Sequence, residues 1–421
     1  MTTKMLLTFA LLSTAASAPA QPVNPVVQWN RTLLGIVRTS GAQPRTIHPT
    51  RSFAIMHAAI YDAVNAITAT HTPYAVSVSG VSPLASLDAA AAAAAHGVLV
   101  TLYPAFQAQL DADLRESLAQ VANGSEKDAG VAIGETVAAH MIELRADDGS
   151  DAQPVPFVFG TGPGDYRSTP PNFPAQPQFT HWSAVRPFAL ESASQFRPGP
   201  PPPLMSRAYA VALDQVATLG VADGTTATVD QALTGRFWNG AIQNYWNEIA
   251  QTAAIGLGLS TAESARLFAL LDLTFADAVI AFYDAKYTYV RWRPVTAVRE
   301  AATDGNRRTD GDPGWLPEVT NTPPDPSYPG AHAVISSAGA TILSSVLGRD
   351  RFDLTVTSEV LPQVDRSFTR FSDIATEASA SRVFAGVHFD FDSTAGRRLG
   401  RQVARFVTGR LLLPVRGQTA G

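Results

Sequence analysis

The segment from Ala262 to Tyr289 constrains the fold more than any other part of this sequence, because it is apolar on nearly all sides. A helix that is apolar all round has to be surrounded by other protein segments, since it offers no polar face to water. Asp272 and Asp277 interrupt the apolar run, so we do not expect it to cross a bilayer. The sequence therefore predicts a central helix that is buried among other helices and carries Lys286 near its end.

Helical periodicity dominates the rest of the chain. A buried stripe from Phe53 to Ile67 follows the start signal Pro49-Thr50. Further helices are expected at about 86–103, 105–121, 125–146, 372–388 and 392–411, and others resume near Arg207 and begin at His332. No alternating pattern typical of a strand extends over more than a few residues. We therefore predict an all-α fold of packed helical bundles.

The N-terminus reads as a signal peptide over residues 1–20. Lys4 supplies the charged start, Met5 to Ala16 form a short apolar stretch, and Ala18-Pro19-Ala20 offers a cleavage site of small residues. The pattern predicts export to the periplasm or the extracellular space, with a mature chain that begins at Gln21. After the signal we expect an N-terminal helical half, a Pro-rich cap and a C-terminal helical half with the functional site, over residues 21–146, 147–205 and 206–421.

The Pro-rich segment 147–205 holds 13 of the 30 prolines of the chain. A long irregular segment of this kind is usually a lid, a binding loop or a linker. Aromatic residues recur along it at Phe157, Phe159, Tyr166, Phe173, Phe179, Trp182 and Phe188. A disordered linker would contain few aromatic residues, so we expect a packed cap.

Composition excludes several classes of function. The net charge of −5 gives no basic footprint for nucleic acid, and beyond the signal no run is apolar enough to span a membrane. The absence of cysteine excludes disulfides and thiolate metal sites. Of the 31 basic residues 28 are arginine, so Lys286 is one of few lysines and a generic solvated role for it is disfavoured. A homodimer is among the assembly states that the sequence allows.

Three short segments near the C-terminus carry residues suited to chemistry. They are Lys286 with Arg293-Pro294, Pro329-Gly330-Ala331-His332, and Ser381-Arg382 with His388 and Asp392. Lys286 and Arg293 lie seven residues apart, about two helical turns, so we expect both cations on one helix face, where they can converge on one anion. Arg382 would add a third cation. The segments predict a pocket for a tetrahedral oxyanion among the C-terminal helices.

Histidines complete this predicted pocket. His388 and Asp392 lie four residues apart, a spacing at which a carboxylate can accept a ring N–H and hold the imidazole in one tautomer. His332 remains available for proton transfer. An apical histidine can attack phosphorus or bind vanadium while cations neutralise the equatorial oxygens. Two chemistries stay open: phosphate ester hydrolysis through a phosphohistidine, and peroxide activation on a histidine-bound vanadate ion.

These residues resemble a signature shared by the vanadium-dependent haloperoxidases and the type 2 phosphatidic acid phosphatases. Its pattern is Lys-x6-Arg-Pro, then Pro-Ser-Gly-His, then Ser-Arg-x5-His-x3-Asp. The first part reads KYTYVRWRP from Lys286 and the third reads SRVFAGVHFDFD from Ser381, both complete. Lipid phosphatases of this family span membranes and its soluble acid phosphatases are shorter, so length and solubility favour the haloperoxidase branch.

The resemblance implies an all-α enzyme that oxidises halide to hypohalous acid with hydrogen peroxide, on a vanadate cofactor whose oxidation state does not change. His388 is then the apical ligand of vanadium, Asp392 orients His388, and His332 takes a proton from hydrogen peroxide. The implied vanadate-binding residues are Lys286, Arg293, Gly330, Ala331 and Arg382. As a phosphatase the protein would need no cofactor: His388 would attack a phosphate ester and His332 would protonate the leaving oxygen.

The middle segment departs from the family pattern. Gly330 stands where the family usually has serine, and Ala331 stands where it usually has glycine. Gly330 cannot donate a hydroxyl hydrogen bond, a loss of about 1.5–3 kcal/mol if the acceptor is charged. The Ala331 amide still can. We expect a weakened anion site, and an exported helical protein that binds phosphate-like anions without turnover stays open as a third alternative.

Other polar residues are given structural roles. His57, beside the buried stripe of the first long helix, is interpreted as a core histidine. Surface or packing roles are the default for His48, His71, His96, His140 and His181. Asp272, Asp277 and Asp284 are expected to pair with the abundant arginines, and Asp284 alone among them lies near enough to Lys286 to tune the site. Tyr283 and Asp325 lie near motif positions that could shape halide access.

Overall fold

The computed structural model of the protein describes residues 24–415. The expected signal peptide and its cleavage site lie outside these residues, so export stays a prediction. Thirteen α-helices account for most of the described chain. They are α1 (Pro25–Arg38), α2 (Thr50–Thr68), α3 (Leu87–Leu102), α4 (Gln107–Ala119), α5 (Ser125–Arg145), α6 (Arg207–Leu219), α7 (Val229–Phe237), α8 (Ile242–Gly256), α9 (Thr261–Tyr289), α10 (Pro294–Arg299), α11 (Ala331–Leu347), α12 (Phe371–Phe384) and α13 (Asp390–Arg410).

Helix α9 is the central helix that the sequence predicts. A capping box of Ser260 and Glu263 starts it, and the helix is buried on all sides along most of its length. It packs against α2 of the N-terminal half and against α11 and α13 of the C-terminal half. It ends at Tyr289, because Val290 adopts a left-handed backbone conformation with φ of 47°. One helix therefore holds both halves of the protein together and carries Lys286 in its last turn.

The N-terminal helices pack closely because their contact surfaces are made of small residues. Residues 89–95 of α3 are all alanine and all buried, and α3 packs against α2 and α5. Across residues 24–415, no single helix has both the length and the apolar composition for a membrane span. The pair Leu87–Leu102 and Pro104–Ala119 reaches these limits only in combination, and it is bent by 119° at its junction.

The segment 147–205 contains no α-helix and is packed against the helices. Tyr166 and Trp182 are buried in it. Asp277 of α9 accepts hydrogen bonds from the three consecutive amides of residues 188–190, at 2.6, 2.8 and 2.8 Å. These contacts match the packed cap expected from its aromatic residues, while the division of the chain into domains stays a prediction.

A short β-hairpin was not predicted from the sequence, and neither were helices α1 and α10. Strands β1 (Arg351–Thr357) and β2 (Asp365–Arg370) pair in antiparallel fashion. Alternation in β1 is limited to Phe352, Leu354 and Val356, which is too short a pattern to predict a strand. The hairpin contacts α8 and α12, and the overall class remains all-α as predicted.

Glycine on α13 allows α11 to approach closely at the site end of the bundle. A Cβ at Gly396 would lie 2.6 Å from the carbonyl oxygen of Gly330, which is the residue just before α11. No real Cβ approaches a backbone oxygen so closely, so a side chain at position 396 has to push the two backbones apart. The position of the first turn of α11 therefore depends on this glycine.

We predict that Gly396→Ala destabilises the protein by about 1–3 kcal/mol, because it overpacks the contact between α11 and α13. Thermal or denaturant unfolding measures this change. Gly409→Ala is the matched control, since Gly409 lies on the same helix with nothing within 4 Å of its added Cβ. That control should lose no stability, because alanine favours helix over glycine by up to about 1 kcal/mol. Equal stability of both variants would contradict the proposed role of the contact.

Candidate active site

A cavity of about 500 Å³ opens between the C-terminal helices, the cap and the start of α2. Six of the residues predicted from the three motif segments line it, namely Lys286, Arg293, Ala331, His332, Arg382 and His388. Gly330 and Asp392 lie behind this wall and bind each other, because the Gly330 amide donates to the Asp392 carbonyl oxygen at 3.0 Å. The three segments are thus brought together, although they span more than a hundred residues of sequence.

Lys286 and Arg293 converge by a different route from the predicted one. They do not share a helix, since α9 ends at Tyr289 and Arg293 has an extended backbone at the N-cap of α10. Pro294 starts α10 and does not stop α9, which agrees with the preference of proline for the first helical turn. The expectation of one shared helix face was therefore wrong, because the chain turns at Val290.

The two cations meet on one carboxylate, Asp325. Its Oδ1 accepts Lys286 Nζ at 2.9 Å and an Arg293 terminal nitrogen at 2.5 Å. Arg293 also donates through Nε to the Asp325 carbonyl oxygen at 2.8 Å. Burial lowers the pKa of Lys286 to about 8, and the nearby Asp325 carboxylate opposes this shift. Lys286 therefore remains mostly protonated at neutral pH.

Arg382 differs from the other two cations because it has no carboxylate partner among residues 24–415. It is 1% exposed, and burial together with Arg293 lowers its pKa to about 9. Its Nε has no hydrogen-bond partner in the part of the chain that the structure describes, and one terminal nitrogen makes only long bonds to the Trp238 carbonyl at 3.4 Å and Asn239 Oδ1 at 3.3 Å. A buried charge without a partner is costly, so a bound anion would be strongly favoured beside Arg382.

His388 is held in one tautomer. Its Nδ1 donates to Asp392 Oδ2 at 3.0 Å, and the same oxygen accepts Ser327 Oγ at 2.5 Å and the Phe389 amide at 3.1 Å. The lone pair of Nε2 consequently faces Arg293, whose terminal nitrogen lies 3.1 Å away. Burial and the neighbouring cations lower the pKa of His388 well below its ordinary value. A neutral imidazole with an unprotonated Nε2 is the form needed to bind a central atom.

His332 lies in the first turn of α11 and lines the same cavity. Its Nε2 donates to the Trp238 carbonyl oxygen at 2.8 Å, which leaves Nδ1 as the basic nitrogen. Burial and Arg382 lower its pKa well below the ordinary value. Ala331 begins α11, and Gly330 provides no side-chain cap, so the first amides of the helix can donate to an anion.

Aromatic residues line part of the cavity. The ring centroid of Phe179 lies 5.3 Å from the ring centroid of His48 and 5.2 Å from that of Tyr283. Phe179 has a left-handed backbone with φ of 56°, a conformation that persists only where its surroundings impose it. The default surface or packing role for His48 was incomplete, because His48 also lines the cavity. No spacing signal links it to the motif segments, so sequence reasoning could not have found it.

Two of the three aspartates on α9, Asp272 and Asp277, do not pair with arginine as expected. Asp284 pairs with Arg197 at 2.6 Å as predicted, but Asp325 is the carboxylate that contacts Lys286. Asp277 binds the cap amides described above. Asp272 binds Asn247 at 3.1 Å, so it does not pair with arginine either. His57 is fully buried, as expected of a core histidine.

Comparisons with known proteins give one consistent family. A family model described as the VCPO second helical-bundle domain matches residues 266–417. The chain is 26% identical to the vanadium chloroperoxidase of Curvularia inaequalis in a match that covers 54% of this chain and 49% of that protein. It thus spans about half the length of that relative.

Two solved structures resemble the whole fold. A bacterial vanadium-dependent iodoperoxidase has a TM-score of 0.76 and 26% identity, with 93% of this chain and 95% of that chain covered. A holo-type bacterial vanadium-dependent chloroperoxidase has a TM-score of 0.67 with 94% of each chain covered, and at 16% identity it supports the fold alone. The helical fold is thus shared with these two structures, and in this chain it contains a cavity lined by three cations. The chain belongs to the vanadium haloperoxidase superfamily.

The residues of the cavity fit a vanadate ion. His388 offers a nitrogen lone pair, Arg382 offers a buried guanidinium without an ion pair in residues 24–415, and α11 offers uncapped amides. Lys286 and Arg293 add positive charge, although both already contact Asp325. The donor set suits a tetrahedral oxyanion, and phosphate or sulfate would satisfy the same groups.

We predict that sulfate binding weakens as the pH rises through about 8, because Lys286 is charged below its pKa of about 8 and neutral above it. Sulfate is the probe because its own charge is constant in this range. Calorimetric titration at a series of pH values measures the affinity. Lys286→Met should bind sulfate more weakly at neutral pH and lose the change near pH 8.

Lys127→Met is the matched control for this test. Lys127 donates to the Leu118 carbonyl oxygen at 2.6 Å, far from the cavity, so its loss should leave the pH profile unchanged. Identical profiles for Lys286→Met and the wild type would show that Lys286 does not supply charge to the site.

Proposed function

We propose that this protein is an exported vanadium-dependent haloperoxidase-like enzyme, which oxidises halide with hydrogen peroxide. The carrying observation is that His388 has an unprotonated Nε2, which accepts from Arg293, in the cavity that it shares with Arg382, a buried cation without an ion pair among residues 24–415. Similarity to the bacterial iodoperoxidase over 93% of this chain supports the haloperoxidase branch.

Each residue of the cavity has a role in this proposal. Bound vanadate would supply a Lewis-acidic centre on which hydrogen peroxide becomes reactive toward halide, at constant oxidation state. His388 would hold the ion through Nε2, since Asp392 and Ser327 keep its Nδ1–H engaged. Arg382, Lys286 and Arg293 would balance the negative charge of the oxygens.

His332 is placed to handle a proton. Its Nε2–H is committed to the Trp238 carbonyl oxygen, so Nδ1 is the atom that would accept a proton from hydrogen peroxide. The lowered pKa keeps the ring neutral and therefore able to accept at neutral pH. Phe179 and Tyr283, which line the cavity, would restrict the access of water to it.

A phosphatase is the second candidate, since neutral His388 is also a competent nucleophile toward a phosphate ester. The enzyme would then need no cofactor, and His332 would protonate the leaving oxygen, for which its Nδ1 would first have to take up a proton that the lowered pKa disfavours. A protein that only binds phosphate-like anions is the third candidate. It is favoured by Gly330, which lacks a hydroxyl and whose amide is engaged with Asp392. Bound vanadium, peroxide-dependent bromination and phosphate-ester hydrolysis, measured on one preparation, separate the three.

We predict that His388→Ala abolishes vanadate binding together with bromination or ester hydrolysis, because the cavity then lacks the imidazole nitrogen that would hold the ion or attack the ester. His140→Ala is the control, since His140 is exposed on α5 and outside the cavity. Vanadium content after dialysis and initial rates of both reactions are the measurements. Bromination that survives in His388→Ala would refute the assigned role.

We predict that Gly330→Ser tightens vanadate binding by up to about 1.5–3 kcal/mol, because its hydroxyl can donate to a charged oxygen. The position tolerates a side chain: φ is −74°, and the nearest neighbours of an added Cβ would be Asp392 and Ser393 backbone atoms at 3.5–3.6 Å, an ordinary contact distance. Gly330→Ala adds the same Cβ without the hydroxyl and should leave affinity unchanged. If serine gives no gain over alanine at this position, the missing hydroxyl is not what weakens the site.

A further inference from the structure

The negative charge of Asp325 offsets part of the positive charge of the anion site. The side chain is almost fully buried, and its Oδ1 is shared by Lys286 Nζ at 2.9 Å and Arg293 at 2.5 Å. Its Oδ2 accepts Gln178 Nε2 at 2.9 Å, and its carbonyl oxygen accepts Arg293 Nε at 2.8 Å. Every acceptor group of this residue is therefore engaged, and two of the three cavity cations are committed to it.

Lys286 is directed entirely toward the loop that carries Asp325. Its ammonium also donates to the carbonyl oxygens of Pro326 and, at 3.4 Å, Ser327. An ammonium has three N–H donors, so none is left over for a further acceptor in this arrangement. An incoming oxyanion therefore has to compete with Asp325 for Lys286, whereas Arg382 is available without competition.

The carboxylate is charged under ordinary conditions. Burial acts to raise the pKa of Asp325, but Lys286 and Arg293 overcome it, so that the pKa falls below its ordinary value. Among the charged residues that line the cavity, three cations and one carboxylate give a formal charge of +2, where Lys286, Arg293 and Arg382 alone would give +3. The interaction of an anion with each of these charges is strong, because the site is buried and poorly screened.

We propose that Asp325 is a specificity-determining residue, an internal counter-anion that competes with tetrahedral oxyanions for Lys286 and Arg293. It lowers the affinity of the site for all anions and discriminates most strongly against those with the highest charge. Gln178 holds the carboxylate from the cap, so the cap segment contributes to this selection. The inference rests on the proposed oxyanion site, and it adds a residue that weakens binding there.

The test compares Asp325→Asn with the wild type in the titration of cofactor-free protein with sulfate and with orthovanadate. Asparagine keeps the size of the side chain and one oxygen acceptor but removes the charge. We expect sulfate to bind about tenfold or more tightly to the variant at low ionic strength. The gain should be larger for the dianion sulfate than for the monoanion perchlorate, because it scales with the charge of the ligand.

Thermal unfolding separates this role from a purely structural one. Without anion the variant should melt at a lower temperature than the wild type, since two buried cations lose their counter-charge. Added sulfate should raise the melting temperature of the variant more than that of the wild type. Lower stability together with weaker sulfate binding would overturn the proposal and make Asp325 a structural residue.

Asp284→Asn is the matched control. Asp284 lies two residues before Lys286 on α9 and pairs with Arg197 at 2.6 Å, and it does not line the cavity. Its substitution should leave sulfate and vanadate affinity unchanged. Unchanged affinity in Asp325→Asn, with vanadate bound by the wild type, would overturn this inference and leave the proposed function standing. If neither protein binds vanadate or sulfate, both the inference and the proposed function fail.

Discussion

Burial of positive charge is the constraint on which the rest of the site depends. Lys286, Arg293 and Arg382 are each at most 1% exposed, and moving such charges out of water costs several kcal/mol apiece. Asp325 offsets two of them, and the Val387 carbonyl oxygen accepts one further Arg293 hydrogen bond at 2.9 Å. Arg382 keeps a polar atom without a partner in the described chain. The site thus has buried positive charge that a bound anion would stabilise. The helices that carry these side chains have to stay packed for this charge to remain buried.

The same positive charge controls the state of the histidines. Burial comes first in lowering the pKa of His388, and the cations lower it further, so the imidazole stays neutral beside them. Neutrality alone would leave two tautomers, and Asp392 selects one of them by accepting the Nδ1–H. Burial raises the pKa of Asp392 to about 6, against the hydrogen bonds from Ser327 and the Phe389 amide, so Asp392 is still mostly charged at neutral pH. Groups that attract an anion therefore also prepare the nitrogen that would bind its central atom.

Sequence reasoning succeeded where a pattern is local and failed where contacts are distant. The apolar run predicted α9 closely, and the motif segments predicted six residues of one cavity, because each segment has a fixed internal spacing. The prediction that one helix continues through Arg293 was wrong, because Val290 adopts a left-handed conformation and ends α9. No glycine or proline at that position signals the end of the helix. His48 and Phe179, which contact each other, line the cavity although they come from distant segments. Nothing in the sequence around either residue indicates that it belongs to the site. Asp325 could be located near the site, but its bond to both cations needed the structure.

Helix α9 explains why the distant segments arrive at the same cavity. Asp277 fixes the cap through three consecutive amides, and Lys286 follows nine residues later on the same helix, about 13.5 Å along its axis. Between them, Tyr283 packs against Phe179 of the cap, with ring centroids 5.2 Å apart. A carboxylate, an aromatic ring and an ammonium on one rigid element thus set the distance between the docked cap and the cations. Gln178 of the cap reaches Asp325 because α9 binds the cap through Asp277 and binds Asp325 through Lys286. The irregular segment is therefore as much a part of the anion site as the motif residues.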